Sequence, residues 1–194
     1  VIGDEHREMA GAPGAGADVE GAAVSPAFEQ AFARTVGHEG GYQAHPEDRG
    51  NWTGGRVGVG ELKGTNFGIS AASYPHLDIK GLTVEAAKLI YLRDFWHAIR
   101  GDELPAPIAI EVFDGQVHHG DAAKFMLQRA LRVAADGVIG PITIAAAQAA
   151  DVCVVRARFL GERLLLMTDL STWGAFGRGW ARRIGHNLTL IKAA

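Results

Sequence analysis

Residues 25–41 read SPAFEQAFARTVGHEGG, and the reading of this stretch decides the fold. Ser25 suits an N-cap, and Pro26 suits the first helical position, where no N–H bond is lost. Phe28, Phe32 and Val36 recur at every fourth residue, the spacing of one helical face. Gly40 and Gly41 are natural terminators, because glycine accepts the left-handed backbone that ends helices. The pattern predicts a helix from Ser25 to Glu39. Glu39 stands eleven residues after Phe28, about three turns of helix, so it falls on the apolar face. Desolvation there disfavours the charged form. A carboxyl held partly neutral is what a general acid needs near neutral pH. The two glycines behind it would let a large ligand come close. The structural alternative is a helix-end glutamate bonded to a neighbouring backbone group or an arginine.

Working outward, residues 10–24 (AGAPGAGADVEGAAV) are rich in Gly and Ala without periodicity, as in a linker or extended arm. Residues 42–70 are glycine-rich with short apolar pieces, which predicts a loop-rich segment with a small hairpin. Helices are expected to dominate the remainder. Thr83 caps TVEAAKLIYLRDFWHAI, Pro105 and Pro107 precede IAIEVFDGQVHH, and Asp121 caps DAAKFMLQRALRV. In the last of these, Ala123, Met126, Leu127 and Ala130 share a face. Pro141 begins a short helix, Asp151 caps a long one to about Met167, and a final helix covers 175–190. The expected fold is mainly α, with a small β insert after the first helix.

The chain has 194 residues, 47% hydrophobic and 21% charged, the composition of a globular protein of one domain or two small ones. No apolar run reaches the roughly 18 residues of a membrane-crossing helix, so no membrane insertion is expected. VIGDEHREM is not a secretory signal. The first residue is Val1, not Met, so an upstream segment is expected. Cys153 is the single cysteine, it lies in the apolar run VCVV, and it is expected to be a small core residue. No metal-ligand spacing and no cofactor motif is present, and nothing resembles a nucleic-acid motif. These features fit folding in a reducing cytoplasm. The formal charge of −3 is uneven, with −4 in residues 1–25. Arg156, Arg158, Arg163, Arg178, Arg182, Arg183 and Lys192 make the C-terminal part basic, either as a face for an anionic polymer such as cell wall or as a solvated helix face.

Asp48 follows Glu39 by nine residues, and Thr65 follows in GTNFGIS. Two carboxyls flanking a glycosidic bond are the minimum for glycoside hydrolysis, and a threonine hydroxyl can hold the attacking water. Glu47 and Glu61 are alternative second carboxylates, and Asp48 in its DRGN setting also reads as a turn residue. Tyr42, Trp52 and Tyr74 could stack on sugar rings, with Asn66 beside Thr65 as a polar contact. Trp96, in a helical setting, reads as core. His118 and His119 are adjacent and diverge on a helix, a poor chelate. Asp114, among Ile110, Phe113 and Val117, is either structural or lines the cleft.

The ordered series HEGGY with HP and Asp48 after it, TNFGIS, LTVEAAKLIYLRDFWHAI, and LP with VFDGQVHHG resembles glycoside hydrolase family 108, a lysozyme-like family. The last third, FMLQRAL…ADGVIGPITIAAA, is similar to the peptidoglycan-binding region that accompanies that family. The resemblance implies a lysozyme-like helical fold and an N-acetylmuramidase cutting the β-1,4 bond between N-acetylmuramic acid and N-acetylglucosamine. It implies Glu39 as the acid, with Asp48 and Thr65 beside it by analogy to phage-type lysozymes. It implies bacterial peptidoglycan as the substrate, met in the periplasm or cell wall by a chain made in the bacterial cytoplasm. A phage tail or phage-like particle, joined through the acidic Gly/Ala arm, is a further setting that the arm fits. The expected regions are an arm at 1–26, a catalytic region at 27–119 and a wall-binding region at 120–194. Two departures stand out. NWTGGRVGVGELKG intervenes between Asp48 and Thr65, so Thr53 competes with Thr65 for the family position. His118 stands where the family often has asparagine. A lytic transglycosylase using Glu39 alone, a chitinase-like hydrolase and a non-catalytic wall-binding component are the rival readings.

Overall fold

The first helix starts where its residues require. In α1 (Pro26–Thr35) the Ser25 hydroxyl accepts the N–H of Phe28 at 3.3 Å, with Pro26 in the first turn. Phe28 and Ala31 are fully buried and Phe32 nearly so. Each phenylalanine contributes about 1.5–3 kcal/mol by leaving water. The computed structural model describes residues 24–36 and 41–192. The arm up to residue 23 and the stretch 37–40, which contains Glu39, lie outside the described residues. The expected helix to Glu39 is therefore seen only to Thr35, with Val36 as its cap.

The chain divides into two compact units, residues 1–95 and 96–194. In the first unit the hairpin expected in the glycine-rich segment is present. Strands β1 (Thr65–Asn66) and β2 (Ile69–Ser70) pair antiparallel, Thr65 opposite Ser70 and Asn66 opposite Ile69. The two residues between them, Phe67 and Gly68, both have positive φ, at 50° and 75°, the requirement of a tight hairpin turn. Isolated bridges join Gln43 to Thr65, beside β1, and Trp52 to Leu62 in the loop before it.

Helix α2 (Val84–Tyr91) is capped by the Thr83 hydroxyl, as expected. Its predicted continuation to Ile99 is not regular. A wide π turn covers Leu92–Trp96, and a 3-10 turn covers His97–Ile99. The turn widens where Asp94 points inward. Its carboxylate accepts the Tyr74 hydroxyl at 2.8 Å and two N–H groups of Arg93 at 2.6 and 2.7 Å. A buried carboxylate must be paired, and these bonds supply the pairing. Tyr91 packs edge-on to Phe32 at 5.5 Å between ring centres, which ties α2 to α1.

In the second unit, α3 (Ala106–His119) is buried at every residue from Ile108 to Gln116, the mark of a central helix. Around it lie α4 (Ala122–Leu131), α5 (Pro141–Ala149), α6 (Val152–Thr168) and α7 (Trp173–Thr189). Helix α3 packs on α4 and α6, α4 on α6, and α6 on α7. The four α4 residues assigned to one face are all buried. Trp96 is fully buried, edge-on to Phe113 at 5.9 Å. The Asp151 carboxylate caps α6 by accepting the N–H groups of Cys153 and Val154. Asp121 precedes α4 without a capping bond, because its carboxylate binds Lys124 at 2.8 Å and the Gln116 amide at 3.2 Å. Cys153 is half-buried rather than a core residue, since its thiol donates to the Lys192 carbonyl near the end of the described chain.

The fold is thus mainly helical and lysozyme-like, with one two-stranded sheet among the described residues. No helix among the described residues is long and apolar enough to cross a membrane.

Candidate active site

Asp48 and Thr65 are seventeen positions apart, and the fold joins them through two residues the sequence reading missed. Asn51 is fully buried at the end of a short 3-10 turn, Arg49–Asn51. Its amide nitrogen donates to Gln43 Oε1 at 2.9 Å and to the His45 carbonyl at 3.0 Å. Its oxygen accepts Gln43 Nε2 at 3.1 Å and the Thr65 hydroxyl at 2.8 Å. Two donors and two acceptor positions are all used, the full capacity of an asparagine side chain. Gln43 Nε2 also donates to Asp48 Oδ2 at 3.3 Å. The other oxygen, Asp48 Oδ1, accepts the Gly50 N–H at 2.9 Å and caps the 3-10 turn. So Asp48 is a turn residue, and it is also one end of a polar network whose other end is Thr65.

Backbone pairing sets this geometry. Gln43 and Thr65 exchange N–H···O bonds at 2.9 and 2.8 Å. Lys63 and Gly64 both donate to the Asn51 carbonyl at 3.0 Å. Gly64 has φ +84°, and a Cβ there would stand 2.4 Å from the Gln43 carbonyl and 2.7 Å from the Tyr42 ring. Only glycine lets the strand pass so close. The two threonines differ in their bonds. Thr65 gives its proton to Asn51 and presents its oxygen as an acceptor, whereas the Thr53 hydroxyl accepts the Glu61 N–H at 2.8 Å and braces the inserted loop. Glu47 is exposed, and Glu61 is exposed with Lys63 at 3.6 Å.

The remaining expected contacts are placed as follows. Tyr42 is exposed, with the Lys80 ammonium 5.9 Å from its ring centre. Trp52 is half-buried and its indole N–H donates to the Pro46 carbonyl at 2.8 Å. Tyr74 is half-buried, with its hydroxyl given to Asp94. Asn66 is buried, its amide clasping the carbonyls of Ile79 and Leu82 at 3.1 and 3.4 Å. Tyr42 is therefore the aromatic with the most open ring of the three, and Asn66 has its donors turned into the protein.

Asp114 and His118 belong to the second unit. Asp114 is 1% exposed, and its carboxylate accepts Arg163 at 2.5 Å and Arg183 at 2.9 Å. Burial alone would raise its pKa, but Arg163, His118 and Arg183 outweigh burial and hold it well below the usual carboxylate range. His118 Nδ1 donates to the Asp114 carbonyl at 2.6 Å, which leaves Nε2 as an acceptor, buried and without a hydrogen-bond partner. Burial first, then the two arginines, against the pull of Asp114, lower His118 to about 4. One turn earlier on α3, Glu111 accepts Arg156 at 2.8 Å and the Asn187 amide at 3.5 Å. Three of the cations that made the C-terminal part basic are thus turned inward on two α3 carboxylates. Among the described residues, no group of three or more His, Cys, Asp or Glu is placed to hold a metal ion.

The described residues thus form a mainly helical fold whose small sheet brings an aspartate and a threonine into one hydrogen-bonded network. The glycosyl hydrolase 108 family model matches residues 32–120. A solved structure of Brucella abortus SagA is 31% identical over 84% of this chain and 91% of that one, with a TM-score of 0.68. The chain belongs to the glycosyl hydrolase 108 family. A comparison with curated proteins finds no match. The matched residues include Glu39, Asp48, Thr65, Asp114 and His118.

Proposed function

We propose that the chain is an N-acetylmuramidase, hydrolysing the β-1,4 bond between N-acetylmuramic acid and N-acetylglucosamine in bacterial peptidoglycan. Membership of a glycosyl hydrolase family supports the reaction class. The observation that carries the finer reading is the network running from Asp48 through Gln43 and Asn51 to Thr65. In this reading Glu39 protonates the leaving oxygen. Asp48 is the second carboxylate, stabilising the positive charge that develops on the sugar or activating water. Thr65, its proton committed to Asn51, accepts a hydrogen bond from the attacking water. Tyr42 and Trp52 flank the glycan, with Tyr74 and Asn66 holding the loop beneath them, while Asp114 and His118 serve the interior of the second unit. The helical region after residue 120 holds the wall, and the acidic arm joins the chain to a larger particle of the phage type. No step calls on a cofactor.

The test is release of reducing ends from purified peptidoglycan, with Glu39→Gln and Asp48→Asn beside the unmodified chain. Glu39→Gln is expected to lose most turnover yet still sediment with the wall, and Asp48→Asn to slow it. Unchanged turnover in Glu39→Gln removes the central assignment; unchanged turnover in Asp48→Asn removes the second.

A further inference from the structure

The segment inserted between Asp48 and Thr65 is a built hairpin. Trp52 pairs with Leu62 at its base. Above that, Thr53 N–H donates to the Glu61 carbonyl at 3.0 Å and Gly54 N–H to the Val59 carbonyl at 3.1 Å. The Thr53 hydroxyl takes the Glu61 N–H at 2.8 Å, and Val59 N–H closes the tip on the Arg56 carbonyl at 3.0 Å. The strands run too close for side chains. A Cβ at Gly54 would lie 2.5 Å from Val59, and one at Gly60 would lie 2.3 Å from the Thr53 hydroxyl. This rigid frame holds two apolar side chains in water, Val57 at 56% and Val59 at 48% exposure. Glu61, the only carboxylate in residues 53–62, is taken by Lys63. That leaves the exposed Arg56 as the charge at the tip. The base of the hairpin rests on the Asn51 carbonyl, through Lys63 and Gly64. The tip is therefore rigidly continuous with the residue that orders Asp48 and Thr65.

We propose that this tip grips the peptide stem carried by the muramic acid of the substrate strand. The inference rests on the muramidase reading. Stem peptides offer small methyl side chains and free carboxylates. Val57 and Val59 match the first, and Arg56 matches the second. Rigidity matters because a preorganised loop loses little freedom on binding. The tip makes the enzyme prefer stem-bearing glycan to bare glycan.

The experiment compares two soluble ligands, glycan oligomers with stem peptides and the same oligomers stripped of them by an amidase. Affinity is measured by calorimetry, which needs no turnover, and cleavage is followed in parallel. The full chain is expected to bind the stem-bearing oligomer roughly ten-fold more tightly, the scale of two small apolar contacts and one charge pair. Val57→Ser with Val59→Ser, and separately Arg56→Glu, should each lower that ratio several-fold. Thermal melts of both variants check that the fold is kept. A ratio near one in the unmodified chain, a ratio unchanged in both variants, or equal weakening on both oligomers would each overturn the proposal. Absence of cleavage with the preference intact would overturn the muramidase reading alone and leave the stem contact standing.

Discussion

Lowering the pH from 7 to 4 should destabilise the second unit through His118. This imidazole is buried at the end of α3, with Asp114 on its own helix, Arg163 facing it from α6 and Arg183 from α7. Burial and the two guanidinium groups outweigh the attraction of Asp114 and hold its folded pKa at about 4, against 6.5 when unfolded. Between those values the unfolded chain binds a proton that the folded chain does not. Stability is therefore fully present above pH 6.5, falls as the pH drops towards 4, and levels off for this group below it. The gap corresponds to roughly 3 kcal/mol, at about 1.4 kcal/mol per pH unit. Urea unfolding at pH 7.5, 5.5 and 4.2, for the unmodified chain and for His118→Asn, isolates the effect. Asparagine can still reach the Asp114 carbonyl but does not titrate, the carboxylates away from His118 contribute alike to both chains, and Asp114 stays ionised over this range through Arg163 and Arg183. The unmodified chain should lose more stability than the variant over that range, by about 3 kcal/mol. Identical pH slopes in the two proteins would refute the reasoning.

Other consequences follow from the same contacts. Arg163→Met leaves the Asp114 carboxylate buried beside a single remaining arginine, and equilibrium unfolding should show a loss of about 3–5 kcal/mol. Asn51→Ala strips Gln43 and Thr65 of their shared partner; it should destabilise the chain by about 1–3 kcal/mol, and under the muramidase reading it should lower turnover more than wall binding in a paired lysis and sedimentation assay. Asp151→Ala removes the acceptor of two N–H groups at the start of α6, a loss of about 1–2 kcal/mol measurable by thermal melting.

Local signals carried much of the fold. Ser25, Thr83 and Asp151 were identifiable as caps because a short polar side chain before an apolar-periodic run has few other roles, and each makes its capping bond. The hairpin at Thr65–Ser70 was legible from glycine density. What escaped depends on partners distant in sequence. Nothing near Asp94 announces Tyr74, twenty residues earlier, so the π turn was invisible. Glu111 and Asp114 lie three apart on α3, while Arg156 and Arg163 lie seven apart on α6, each spacing keeping its pair on one face. Those spacings were in the sequence, but which faces meet was not. The basic residues of α6 and α7 therefore read as an outward face, anion-binding or merely solvated, when part of the charge neutralises the interior. At the candidate site, Asp48 and Thr65 were singled out together beside Glu39. Gln43 and Asn51 were overlooked because amides have no catalytic signature, and their role emerges only when four side chains share one set of hydrogen bonds.

The central claim is hydrolysis of the muramic acid linkage with Glu39 as the acid. It is tested most directly by mass spectrometry of purified peptidoglycan after digestion, the unmodified chain beside Glu39→Gln. The account predicts fragments ending in a reducing N-acetylmuramic acid, absent with the variant. Fragments lighter by one water would instead mean internal ring closure without an added water, and would contradict the role given to Asp48 and Thr65. No fragments from either protein would contradict the claim of catalysis itself.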